Sequence, residues 1–116
     1  MTGYEHQGKT TVSPDVLVTI ARLSALSVPG VSHMAAVSGG VNQLFRRGIH
    51  DGVQIAVKEN TVSADLYLVL KQDVNIREVS RNVQLQVARA IQEMVGMDIG
   101  QIDIHVESID YEEEEA

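Results

Sequence analysis

Residues 62–109 constrain the fold of this chain more than any other part of it. They open with a run rich in β-forming residues, which extends to Leu70. Apolar residues at helical spacing follow from Ile76, and residues 102–109 alternate between apolar and polar as far as Glu107. A strand, an amphipathic helix and a second strand in this order predict a small α+β domain.

The strands are expected to be joined by short turns and one longer loop. Strands are predicted at residues 9–12, 31–38, 54–58, 62–70 and 102–109. Glu59 and Asn60 lie between the third and fourth of these segments and predict a tight hairpin. Residues 39–52, with two adjacent glycines at their start, predict a loop.

Each of the two predicted helices has a recognisable start and end. The first begins at Pro14, with Ser13 as its N-cap, and runs to about Ser27. The second begins after Asn75, a capping residue, and stops at Gly96. In the first helix, the residues predicted to face the core are Val16, Leu17, Ile20, Ala21, Leu23 and Ser24, while Val18 and Leu26 lie outside that face. In the second helix, they are Ile76, Val79, Val83, Val87, Ala90, Ile91 and Met94.

Both helices carry apolar faces that must be buried. The simplest arrangement packs them on one face of a mainly antiparallel sheet of about four to five strands. The predicted fold class is therefore α+β, a two-layer sandwich, and 116 residues correspond to one domain. We expect a flexible N-terminus at residues 1–7, the folded domain at residues 8–109 and an acidic, disordered tail at residues 110–116.

The composition disfavours several classes of function. Without cysteine, the chain has neither disulfides nor a thiol site. Five of the sixteen acidic residues lie in residues 110–116, which leaves eleven acids against nine bases in the rest of the chain. A nearly neutral body with few aromatic residues disfavours nucleic-acid binding. No apolar run approaches the roughly 20 residues that span a bilayer, so we expect no direct membrane span.

Asp103, His105 and Glu107 share one face of the last predicted strand, because alternate residues of a strand point the same way. Carboxylates and imidazole can bind a metal ion or transfer protons. The residues between them are apolar and point to the core, so the three polar side chains are more simply expected to face water. We predict no catalytic, cofactor or metal site.

Exposed arginines near single apolar side chains predict a surface for a protein partner. The candidates are Arg77, Arg81, Leu85 and Arg89 on the second helix, and Phe45, Arg46 and Arg47 in the loop. Arginine is favoured at interfaces, but a single exposed leucine is also ordinary, so Leu85 is consistent with a binding face or with plain surface. For Phe45 we favour a loop that folds over the core, with an exposed contact as the alternative.

Six segments together resemble the alkaline shock protein (Gls-type general stress) family of Gram-positive and related bacteria. They are Thr11-Val12-Ser13-Pro14-Asp15-Val16-Leu17, Val28-Pro29-Gly30-Val31, Asp65-Leu66-Tyr67-Leu68-Val69, Val74-Asn75-Ile76-Arg77-Glu78-Val79, Arg81-Asn82-Val83-Gln84 and Ile102-Asp103-Ile104-His105-Val106. They occur in family order across residues 8–109. The loop at residues 39–50 and the acidic tail differ from the family pattern.

The resemblance implies a non-enzymatic cytoplasmic protein of the envelope stress response. Some relatives are held at the inner face of the cell membrane by a separate anchor protein, and self-association is known in the family. The expected function is therefore an adaptor or scaffold that acts through protein–protein contacts, without a cofactor. The alternative is a regulator that binds a metabolic enzyme, for instance in lipid synthesis, and changes its activity.

Overall fold

The computed structural model describes residues 10–36 and 49–111. Its elements are α1 (Pro14–Leu26), β1 (Val31–Met34), β2 (Ile49–His50), β3 (Val53–Lys58), β4 (Thr61–Lys71), α2 (Ile76–Val95) and β5 (Asp98–Asp110). The strands form one five-stranded sheet, and both helices pack on one of its faces. The predicted α+β fold, with two helices against a mainly antiparallel sheet, is confirmed.

The long strand β4 organises the sheet. β5 lies parallel to β4 along one of its edges. The other edge is shared end to end by β3 and β1, both antiparallel to β4, and β2 extends the sheet beyond β3. β4 and β5 are parallel because α2 carries the chain back to the end of the sheet at which β4 begins.

The hairpin between β3 and β4 turns at the two predicted residues. Glu59 has a φ of +53° and Asn60 a φ of +67°. Two consecutive positive φ angles are characteristic of a type I′ turn, whose twist matches that of the flanking strands. The turn therefore sets the register in which β3 pairs with β4.

The core lies between the sheet and the helix pair. Alternate side chains of β4 point into it and are buried, and one stripe of α2 covers them. These residues are Val62, Ala64, Leu66, Leu68 and Leu70 of β4, and Val79, Val83, Val87 and Ile91 of α2. The core is aliphatic, as the single phenylalanine and the lack of tryptophan require.

Both predicted ends of α2 are confirmed. Asn75 accepts a hydrogen bond from the backbone N–H of Glu78 at 2.9 Å, and Gly96 ends the helix with a φ of +78°. Ile76 and Met94, predicted to face the core, are instead exposed. They lie in the first and last turns of a helix about 30 Å long, at the edge of the core, although Val79 and Val95 in the same turns pack against it.

The predicted core face of α1 is partly wrong. Val18 is buried, whereas Val16 and Leu23 are exposed. α1 is apolar on nearly all sides, so its periodicity alone does not determine its rotation. Ser13 has the extended backbone of an N-cap, but its side chain makes no capping hydrogen bond. Leu26, which lies outside the predicted core face, is exposed.

Several strand boundaries differ from those predicted. Residues 10–12 lie outside any strand, and Val12 packs against the core instead. β2 lies in the predicted loop, and β1 is short and ends at Met34. β5 begins at Asp98 and includes Asp110, one residue beyond the predicted domain end. Across residues 10–36 and 49–111, neither helix combines the length and the apolar character that a membrane crossing requires.

Candidate interaction surfaces

Four exposed residues form a continuous line on the outer surface of α2. Arg77, Arg81, Leu85 and Arg89 follow one another at intervals of four residues, so neighbouring side chains lie about 5–6 Å apart at their Cβ atoms. Leu85 is 61% exposed. We call these four residues the arginine track. The structure brings the predicted helix candidates together on one surface, and their role in binding stays a prediction.

The arginine track winds around α2, because four residues turn an α-helix by about 400°. Leu85 and Arg89 border a groove of about 300 Å³ against residues 27–29, which follow α1. Arg77 and Arg81 line a separate depression of about 270 Å³ at the start of α2. The track therefore has two halves, one at the helix start and one facing α1.

A second exposed apolar area lies at the other end of the helix pair. Met94, which is 71% exposed, and Val16 line a depression together with Asp15 and Thr19. Periodicity places Met94 and Val16 on core faces, because it shows which residues share a side of a helix. It does not show how α1 is rotated, which exposes Val16, or how far the opposing layer extends past Met94, and this area was therefore missed.

The sheet face opposite the helices carries a small polar cluster. His105 of β5 stacks on Tyr67 of β4, with ring centroids 4.5 Å apart and planes 12° apart. The His105 Nε2–H donates to Oδ1 of Asp65 at 2.9 Å. The register positions all three side chains, since His105 lies opposite Tyr67 and Asp65 is two residues earlier in β4. His105 thus lies on the outward face and remains 41% exposed, but it also contacts Asp65 and Tyr67, which alternation within β5 does not show.

The other two residues of the predicted metal-type triplet lie outside this cluster. Asp103 is exposed and lies opposite Asp65 in the register, while a shift in the pairing leaves Glu107 without a Cα partner in β4. Within the described residues, no three His, Asp or Glu side chains are grouped so that they could hold a metal ion. The structure thus joins His105 to Asp65, not to its neighbours in the alternating strand.

His105→Ala is expected to lower the melting temperature only slightly. The substitution removes one hydrogen bond and one ring stack, which together contribute about 1 kcal/mol in this setting. The contribution is small because the His105 and Asp65 side chains are 41% and 36% exposed. Thermal melting followed by circular dichroism measures the change. Asp103→Asn on the same face is the control and should melt like the unaltered chain.

The remaining candidates, Phe45, Arg46 and Arg47, lie outside the described residues. Residues 1–9 and 112–116, which hold the predicted flexible N-terminus and most of the acidic tail, do as well. The contact role of the loop candidates stays a prediction.

Similar proteins occur in Gram-positive bacteria. The protein YqhY of Bacillus subtilis (strain 168) is 29% identical over 109 residues, which cover 92% of this chain and 81% of YqhY. The protein Spy1535 of Streptococcus pyogenes serotype M6 is 31% identical over 106 residues, covering 90% of this chain and 81% of Spy1535. Both relatives are described as uncharacterised.

A solved structure with the same fold is the zinc form of a MamM CTD variant. It superimposes with a TM-score of 0.58 and covers 83% of this chain and 86% of that chain. At 13% identity, this likeness shows a shared fold alone.

A family model places the chain by sequence. The model of the alkaline shock protein 23 family matches residues 2–111. The match spans the helices, the sheet and the arginine track, and it confirms the resemblance identified from the sequence segments. The chain therefore belongs to the alkaline shock protein 23 family, which has a cell envelope-related function.

Proposed function

We propose that this chain is a non-enzymatic adaptor or scaffold in cell-envelope homeostasis that acts through protein–protein contacts. The arginine track supports the proposal: it presents three guanidinium groups around an exposed leucine. Among the described residues, no carboxylate forms an ion pair with any of these arginines. The track therefore offers both charge and apolar area to a partner.

An interface on the arginine track would use Leu85 as its apolar anchor. Burying a leucine side chain contributes about 1.5–3 kcal/mol when it starts fully exposed, and Leu85 is 61% exposed. Arg81 and Arg89 flank it and can each form charge-assisted hydrogen bonds with a carboxylate. The partner that fits is a protein surface with an apolar hollow edged by acidic residues.

The proposed adaptor also has a proposed location in the cell. We place it in the cytoplasm and, when a partner protein holds it, at the inner face of the cell membrane. A separate anchor protein is the attachment that the family resemblance implies. Self-association through the arginine track is part of the same proposal.

Arg81→Glu combined with Leu85→Ser is expected to abolish recovery of the partner and self-association. The melting temperature should change little, because both side chains are exposed and leave the core untouched. Affinity purification from the native host under envelope stress, with separation of membrane and soluble fractions, measures partner recovery. Analytical ultracentrifugation measures self-association.

His105→Ala is the matched control, since it alters the opposite face of the sheet. It should recover the same partners as the unaltered chain. Normal recovery by the helix variant, together with loss of recovery by His105→Ala, would overturn the adaptor proposal. Recovery of one soluble metabolic enzyme, with no membrane fraction, would favour the regulator.

A further inference from the structure

The end of β5 lies beside the start of α2. Asp110, the last residue of β5, pairs with Lys71, the last residue of β4. Its carboxylate accepts a hydrogen bond from the Ser32 hydroxyl at 2.6 Å. Lys71 donates its N–H to the carbonyl of Gly30 at 2.8 Å, and Gly30 packs against Val79 in the first turns of α2. The residues after Asp110 therefore emerge near those turns.

The rotation of α2 turns Arg77 toward β5 and places Arg81 beside it. The Gln84 side chain donates from Nε2 to the carbonyl of Ile102 in β5 at 2.9 Å, so the Gln84 side of α2 faces that strand. Arg77 precedes Gln84 by seven residues and points within about 20° of the same direction. Arg81 lies about 60° further around, toward solvent. Arg77 thus lies on the flank of α2 that faces β5, and Arg81 lies between that flank and the outer surface, both toward the end where Asp110 is located.

Charge and length both suit a contact between the acidic segment and this flank. Tyr111 is 69% exposed, and residues 112–115 are four consecutive glutamates. Residues 111–115 reach roughly 17 Å when extended, enough to pass from the sheet to a helix about 10 Å in diameter. Arg77 and Arg81 share their depression with one carboxylate, Glu78, which leaves a net positive charge there. The N-terminal end of α2 adds a positive partial charge.

We propose that residues 111–115 bind back onto α2 of the same chain, with their glutamates paired to Arg77 and Arg81. The contact covers the first half of the arginine track and leaves Leu85 and Arg89 open. Its consequence rests on the proposed function, because a partner that needs Arg81 must first displace the acidic segment. The segment then acts as a competitor that weakens partner binding, most strongly at low salt.

A nitroxide at the end of the chain tests the contact directly. The chain has no cysteine, so Ala116→Cys gives a single labelling site. The nitroxide should broaden the backbone amide signals of the first two turns of α2 at low salt. Arg77→Glu with Arg81→Glu should remove the broadening, as should about 0.5 M salt, which screens exposed charges beyond a few ångströms. Lys58→Glu, at the far end of the sheet, is the control and should leave the broadening intact.

Other results would overturn the contact. These are an absence of broadening in the labelled chain, or broadening that persists after both arginines are reversed. Broadening that appears only between a labelled and an isotope-enriched copy would assign the contact to a second molecule, not to the same chain. The amide spectrum and melting temperature of the arginine variant show whether it remains folded.

Removal of residues 111–116 tests the consequence. The shortened chain keeps Asp110 and its bond to Ser32 and should recover about threefold to tenfold more partner at low salt, the range expected from two exposed ion pairs. Equal recovery would refute the masking role. The nitroxide measurement needs no partner, so its failure would leave the adaptor proposal standing. Failure of the Arg81→Glu, Leu85→Ser test would refute the adaptor proposal alone.

Discussion

Val87→Asp is expected to unfold the chain or to lower its melting temperature by roughly 20 °C or more. Val87 lies mid-way along the buried stripe of α2 and is 0% exposed. An aspartate there must either bury an unpaired charge or take up a proton, and either event costs several kcal/mol of folding free energy. A domain of this size is stable by only about 5–15 kcal/mol, so the loss is a large part of the total.

Leu85→Asp is the matched control for this experiment. It introduces the same side chain into the same helix two residues away, at a position 61% exposed. Its melting temperature should fall by no more than a few degrees, since an exposed substitution usually changes stability by about 0.5 kcal/mol. Thermal melting of both variants decides the outcome. Equal melting temperatures would show that α2 packs with a different face than the one described.

The sequence predicts best those elements whose residue pattern is compatible with only one type of secondary structure. Residues 62–70 are rich in β-forming residues, and residues 102–107 alternate between apolar and polar, a period of two that does not suit a helix. α2 repeats its apolar residues at helical spacing between Asn75 and Gly96, which cap its two ends. Periodicity and capping agree for α2, so both its extent and its buried stripe were predictable apart from the terminal turns.

The residue pattern alone does not predict the rotation of α1 or the presence of β2. α1 has one charge, Arg22, after its first turn, so several rotations would bury a comparable apolar area. Packing against α2 and the sheet selects Val18 over Val16 and Leu23, and that choice depends on tertiary contacts. β2 is two residues long and carries too little pattern to be distinguished from a loop.

The candidate surfaces also differ in how far the sequence predicts them. Leu85 could be predicted as exposed because a helix places it opposite the buried stripe, and the structure agrees. The bond between His105 and Asp65 joins residues 40 apart in sequence and requires the register of β4 with β5. Alternation within one strand reveals the face of His105 but not its neighbour on the next strand.

Gly30 is a position at which close packing against α2 depends on the absence of a side chain. It has a φ of +103°, which side chains other than glycine rarely adopt. A Cβ added there would lie 2.7 Å from Cγ2 of Val79, a distance at which the Val79 side chain, α2 or the segment before β1 must move. Gly96 also has a positive φ, +78°, but a Cβ there would meet nothing within 4 Å.

Gly30→Ala is therefore expected to destabilise the fold by roughly 3–5 kcal/mol, from backbone strain and overpacking together. Gly96→Ala should cost only the strain, about 1 kcal/mol. Val79→Ala removes both methyl groups that the new Cβ would meet, so Gly30→Ala should cost markedly less in that background. Denaturant unfolding of the two single variants and the double variant gives this coupling energy. A coupling near zero, or a loss no greater than that of Gly96→Ala, would contradict the close approach of residue 30 to α2.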